Sequence, residues 1–163
     1  LIKRGEPVLI EYIDNELNGP DLGNLECDYV PLEWYEVDKK VLHKVSRHGL
    51  EVGIRNLAGR PLCDGDVLWR DQHRALLVEI LPCACIALKP HTMLEIGKAC
   101  YELGNRHAPL FMADGELLTP YDAPLYNVLG KYGFTVYVKT AKLKTLWGGY
   151  AGGHAHGHAH EHS

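Results

Sequence analysis

Thr92-Met93-Leu94-Glu95-Ile96-Gly97-Lys98-Ala99-Cys100-Tyr101-Glu102-Leu103-Gly104-Asn105-Arg106-His107 is the stretch whose reading organises the chain. It reads as one helix with both ends marked. Pro90 stands just before it, and Thr92 with Glu95 three positions on forms a capping box. Met93, Ile96, Gly97, Cys100 and Leu103 recur at helical spacing and predict one stripe facing a core, with Glu95, Lys98 and Glu102 off it. Gly104 stands where a left-handed stop is expected, Asn105 tolerates the same region, and Pro109 bars a return to helix. Arg106 and His107 are thereby delivered at the end of a rigid element, outside its packed face. A histidine there either caps the last carbonyls of the helix or is presented to a ligand.

Around this helix the second half of the chain predicts a strand from Leu76 to Leu88, and then, after the helix, a hairpin. The hairpin joins Leu110-Phe111-Met112-Ala113 to Glu116-Leu117-Leu118 about Asp114-Gly115, a strong turn pair. Asp122 caps a second helix with Leu125, Val128, Leu129 and Tyr132 as its stripe and Gly133 as its stop. Phe134 to Lys139 alternates as a last strand. The order is βαββαβ, the split-βαβ, ferredoxin-like arrangement, expected over residues 75–147.

Residues 1–72 read differently, as short strands separated by turns. Strands are expected at residues 7–13, 27–30, 34–37, 41–46, 50–55 and 67–69, with turns at 18–24, 47–49, 56–60 and 64–66. Regular spacing of this kind predicts a small all-β domain, a candidate for contacting partner proteins. The fully polar run from Arg70 to Arg74 marks the expected boundary between the two domains. The fold class is therefore α+β: an all-β domain, a ferredoxin-like domain and a third segment, residues 148–163. That segment opens on Gly148-Gly149-Tyr150-Ala151-Gly152-Gly153, which predicts a flexible hinge. It closes with His154, His156, His158, His160 and His162 at strict alternation and nothing apolar larger than alanine among them, so it cannot form a core.

Composition narrows the function classes. The formal net charge is −4 with histidine neutral, which gives no footprint for nucleic acid. No apolar run is long enough to span a membrane. Charged residues follow Leu1-Ile2 at once, so no signal peptide is expected. The five cysteines, Cys27, Cys63, Cys83, Cys85 and Cys100, include no pair with the two-residue gap of a zinc knuckle or redox motif, and a reducing cytoplasm fits them. Cys83 and Cys85 share one face of the expected strand, either as packed thiols or as a soft metal pair; Cys100 reads as core. His43, His48 and His73 stand at no ligand spacing.

The terminal histidines carry chemistry. Neutral imidazole suits Ni(II), Cu(II), Zn(II) and Co(II). Five on one mobile segment raise the effective ligand concentration, but such a segment imposes no geometry and cannot choose among these ions. Affinity tags are usually contiguous histidines, whereas alanine, glycine and glutamate are interleaved here.

Lys98-Ala99-Cys100-Tyr101-Glu102-Leu103-Gly104-Asn105-Arg106-His107-Ala108-Pro109-Leu110, followed by Gly115-Glu116-Leu117, resembles the signature of the urease accessory protein E family. The resemblance implies a nickel metallochaperone without catalysis of its own. In that family the histidine closing Gly-Asn-Arg-His is the metal ligand at a homodimer interface, a role that falls here on His107. The implied partners are the other urease accessory proteins, including a GTPase, and the urease apoenzyme. Some relatives carry further histidines after the hairpin; Thr119-Pro120-Tyr121-Asp122-Ala123 contains none. Relatives without a long histidine tail imply that the tail is a store more than the essential site.

The resulting expectation is a cytoplasmic homodimer that binds Ni(II), with Zn(II) or Cu(II) able to compete. The paired His107 would hold the ion for transfer, and His154, His156, His158, His160 and His162 would gather it. One histidine per chain is too poor a site, and a two-fold axis supplies the second. Protons compete below about pH 6.5. Two other readings stay open on the residues. One is a general Zn/Cu/Ni buffer in which the tail is everything. The other is a metal-dependent enzyme with His107, His91 and a carboxylate such as Asp122 as ligands, although catalytic sites need three fixed protein ligands.

Overall fold

The computed structural model describes residues 7–13 and 22–144 in full and residues 146–148 as backbone. The five tail histidines, most of the expected hinge, residues 18–21 of the first expected loop and the opening residues 1–6 lie outside it. The chain divides into two compact units, one from Leu1–Cys83 with Lys142–Lys144, the other from Ala84–Ala141 with the residues after Lys144.

The first unit is all-β. Strands β1 (Val8–Tyr12), β4 (Glu51–Asn56) and β3 (Val41–Val45) form one sheet in the order β1-β4-β3. Strands β2 (Glu26–Leu32), β6 (Arg74–Ile80) and β5 (Val67–Arg70) form another in the order β2-β6-β5. Each sheet joins one parallel pair, β1 with β4 or β2 with β6, to one antiparallel pair. Ile10, Tyr12, Val30, Leu32, Leu42, Val52, Ile54, Leu68, Val78 and Ile80 meet in a single core between the sheets. Beside it, the half-buried Arg60 grips Asp66 through both terminal nitrogens (2.9 and 3.1 Å) and donates to the Tyr12 hydroxyl at 2.9 Å, so the buried Asp66 carboxylate and Tyr12 hydroxyl each have a partner.

Two expectations about this half are corrected. Residues 34–37 are a turn and not a strand, closed by the Glu36 N–H donating to the Glu33 carbonyl at 2.9 Å. The polar run 70–74 is not a domain boundary. It is the tip of the β5-β6 hairpin, where the Asp71 carboxylate accepts from the His73 and Arg74 N–H groups at 2.9 and 2.8 Å.

The junction falls about ten residues later, and the expected single strand from Leu76 to Leu88 is two: β6 and β7 (Pro82–Leu88). The physical reason lies in β6. Val78 and Ile80 face the main core, while Ala75 and Leu77 face a second cluster with Val67 and Cys27. A strand buried on both sides is a continuous apolar run and merges by eye with the next one. The break is marked by Pro82, which lacks a ladder donor and opens β7.

The second unit has the expected βαββαβ order: β7, α1 (Met93–Asn105), β8 (Leu110–Ala113), β9 (Glu116–Pro120), α2 (Ala123–Lys131) and β10 (Val136–Lys142). Its sheet runs β10-β7-β9-β8, with β7 and β8 each antiparallel to β9. A fifth strand that the sequence reading did not anticipate, β11 (Leu146–Gly148), pairs antiparallel with β8 at the edge. Asp114 and Gly115 both have positive φ (52° and 76°), as the two-residue hairpin between β8 and β9 requires. Ile86, Leu88 and Leu117 of the sheet pack against Ala99 and Leu103 of α1 and Leu125 and Leu129 of α2. Truncating a fully buried leucine of this set to alanine costs about 2–5 kcal/mol.

Candidate metal centre

Helix α1 starts much as its sequence predicts. Thr92 has extended backbone, and its hydroxyl accepts from the Glu95 N–H at 3.1 Å. The reciprocal bond is shifted by one residue: the Glu95 carboxylate accepts from the His91 N–H at 2.6 Å. The packed stripe is narrower than expected. Ala99 and Leu103 are buried, with Ile96 and Cys100 partly so, whereas Met93 and Gly97 are exposed.

The end of α1 corrects a second expectation and defines the candidate site. Gly104 is not the left-handed stop. It remains in the helix, and the residue that turns left-handed is His107, at φ +52°. The His107 N–H donates to the Gly104 carbonyl at 2.9 Å and the Ala108 N–H to the Leu103 carbonyl at 3.0 Å, and Ala108 packs on the core. This is the Schellman pattern of a helix C-terminus. Helix α2 ends identically, with Gly133 (φ +80°) donating to the Gly130 carbonyl and Phe134 to the Leu129 carbonyl. The same position is thus a glycine in one helix and a histidine in the other. For a residue with a Cβ that backbone costs about 1–2 kcal/mol, and such outliers concentrate at functional sites.

The His107 side chain is exposed and makes no hydrogen bond or ion pair with any described residue, so it does not cap the helix. Its neighbour is tied down. The Arg106 Nη1 donates to the Glu102 carbonyl at 2.9 Å and to the Glu102 carboxylate at 2.5 Å, while the guanidinium lies 5.8 Å from the Tyr132 ring centroid. The hydrogen bond to Glu102, with Tyr132 adding to it, holds this guanidinium's pKa above its usual value.

On the side of α1 away from the core, Met93 (82% exposed), Leu94 (66%) and Tyr101 (68%) form an uncovered apolar surface. Gly97 and Gly104 lie on the same side, and a Cβ built on either would meet nothing within 4 Å.

The remaining expected ligands do not gather round His107. His91 and His107 flank opposite ends of a 13-residue helix, which separates them by about 20 Å at 1.5 Å per residue. The Asp122 carboxylate is the N-cap of α2, accepting from the Leu125 N–H at 2.8 Å. None of the five cysteines is in a disulfide. Cys85 is buried, which pushes its thiol pKa up, and its Sγ donates to the Lys139 carbonyl at 3.3 Å. No three His, Cys, Asp or Glu side chains among the described residues are grouped to hold a metal ion.

Comparison with known families matches residues 9–81 to the UreE urease accessory protein, N-terminal domain, and residues 82–163 to the UreE urease accessory protein, C-terminal domain. The chain belongs to the UreE family. It is 51% identical over 142 residues to the urease accessory protein UreE of Acetivibrio thermocellus, covering 87% of this chain and 93% of that one. It is 37% identical to UreE of Flavobacterium johnsoniae over 78% of each chain, and 33% identical to UreE of Helicobacter pylori over 83% of this chain and 82% of that one. The junction between the two family domains, at residues 81 and 82, falls within two residues of the junction between the two compact units. A UreE protein is an accessory factor in urease maturation and not the hydrolase. No described helix is long and apolar enough to cross a membrane.

The sequence reading singled out His107 as the candidate ligand but missed two features around it. The Arg106–Tyr132 contact joins residues distant in sequence. The outer face of α1 had a visible signal in Leu94 and Tyr101, seven apart and off the assigned stripe.

Proposed function

We propose that this UreE protein is a nickel carrier for assembly of the urease active site. It works as a cytoplasmic homodimer in which two His107 side chains meet near the two-fold axis and hold one Ni(II) between them. Nickel is cargo, taken up and released, so a site of two imidazoles completed by water or by tail histidines suits the task better than a closed four-ligand cage. His154, His156, His158, His160 and His162 supply a collecting store that does not discriminate between Ni(II), Zn(II) and Cu(II). The GTPase and the other urease accessory proteins receive or relay the ion to the apoenzyme.

The observation that carries this reading is His107 itself: a left-handed histidine where α2 has glycine, with an exposed imidazole bonded to no described residue. Dimerisation is supported by the outer face of α1. Its exposed Leu94 and Tyr101 flank Gly97 and Gly104, which let a second helix approach closely.

The test is the Ni(II) bound per chain in full-length protein whose five tail histidines are replaced by alanine. One ion per two chains, lost on adding His107→Ala, is the expected result. Loss of all tight binding with the tail histidines alone would overturn the proposal in favour of a general metal buffer.

A further inference from the structure

We infer that Arg106 is a positioning residue for nickel binding: by bridging Glu102 to the Tyr132 ring, it holds the turn that aims the His107 imidazole. The inference rests on His107 being the nickel ligand, as proposed above.

A histidine in the left-handed region relaxes if the last turn of its helix unwinds. Two backbone hydrogen bonds and the packed Ala108 oppose that on one side of His107. On the other side stands Arg106, whose backbone closes α1 as its C-cap (φ −98°, ψ 4°). Its side chain folds back one turn, where one terminal nitrogen serves both the Glu102 carbonyl and the Glu102 carboxylate. Tyr132, under the guanidinium, is the C-cap of α2. One planar group therefore ties together the two helix ends, and His107 is one peptide bond away.

The guanidinium carries no lone pair for a metal, so its effect on binding is indirect. Lysine keeps the charge and an ion pair with Glu102 but lacks the planar fork and the stacking face. Residues that orient a metal ligand typically change metal affinity by about 10–100-fold when replaced.

The experiment uses full-length protein with the five tail histidines replaced by alanine. It compares Ni(II) affinity for the parent, Arg106→Lys, Tyr132→Phe, Tyr132→Leu, the Arg106→Lys/Tyr132→Leu pair and His107→Ala. Hydrogen exchange at the His107 and Ala108 amides without metal gives a second readout. Arg106→Lys and Tyr132→Leu are each expected to weaken nickel binding about tenfold with the melting temperature unchanged, and the pair no more than either alone. Tyr132→Phe, which keeps the ring, stays near the parent. The two amides exchange about tenfold faster in Arg106→Lys while core amides do not.

Nickel affinity of Arg106→Lys within twofold of the parent, alongside loss of binding in His107→Ala, overturns this inference and leaves the His107 site standing. Binding that survives His107→Ala removes the site reading and this inference with it. Should Tyr132→Leu fail to fold, Arg106→Lys with Tyr132→Phe still decides the matter.

Discussion

At His107 stability and the proposed nickel role oppose one another. The helix terminus wants glycine at this position, as Gly133 shows in the same motif, and the chain holds histidine instead. His107→Gly relieves the left-handed strain, partly offset by the greater freedom glycine gives the unfolded chain. It is therefore expected to raise unfolding stability by about 0.5–1 kcal/mol in urea titration. On the proposed function, the same variant loses the ion held between two chains, measured by metal content after dialysis. A histidine retained only as a helix cap would give the reverse pattern, with stability falling and nickel binding unaffected. Asp122 illustrates the ordinary case. Its carboxylate caps α2, so Asp122→Ala is expected to lose about 1 kcal/mol of stability without changing metal content.

The two helices are built from the same devices and used differently. Both begin on a side-chain cap and both end in a Schellman motif. Gly133→Ala places a Cβ on left-handed backbone and is expected to cost α2 about 1 kcal/mol or more in chemical denaturation. Gly97 sits in helical backbone with open space around it, so its substitution strains nothing within the chain. Gly97→Leu is thus expected to leave the far-UV circular dichroism of the fold unchanged. It fills the surface between Leu94 and Tyr101 and is expected to shift sedimentation of the proposed dimer toward monomer. A dimer that survives Gly97→Leu intact would show that the copies meet through another surface.

Across the whole molecule, acid stability should follow a few carboxylates. Burial pushes the Asp64 carboxyl upward, but hydrogen bonds from Lys144, the Ile80 N–H and Lys142 together hold it below the usual aspartate value. Burial opposes Glu36 in the same way, and the hydrogen bonds of Lys44 and the Glu33 N–H prevail. Glu116, in the second unit, is held low by hydrogen bonds from Lys139 and then Tyr137. A folded-state pKa below the unfolded value means a contribution fully present above the unfolded pKa and lost as pH falls through the folded one. The melting temperature is therefore expected to be level above about pH 5 and to fall below about pH 4. Asp64→Asn keeps an acceptor for Ile80 but not the charge, so it should lose about 1 kcal/mol at pH 7 and show a shallower acid slope.

Much of this was legible from residue order, because the signals are local. The capping residues Thr92 and Asp122, the Asp114-Gly115 turn and the apolar periods of α1 and α2 each act over three or four neighbours. The βαββαβ order followed from them, and the motif ending at His107 carried the family resemblance. Three things were decided only by the tertiary structure. The domain junction moved because β6 is covered on both faces, which a pattern of apolar residues does not reveal. Gly104 yielded the left-handed position to His107 because Ala108, and not an earlier residue, is the one that reaches the core and closes the motif. The Arg106–Tyr132 contact exists because two helices end side by side, a closeness that no spacing along the chain encodes.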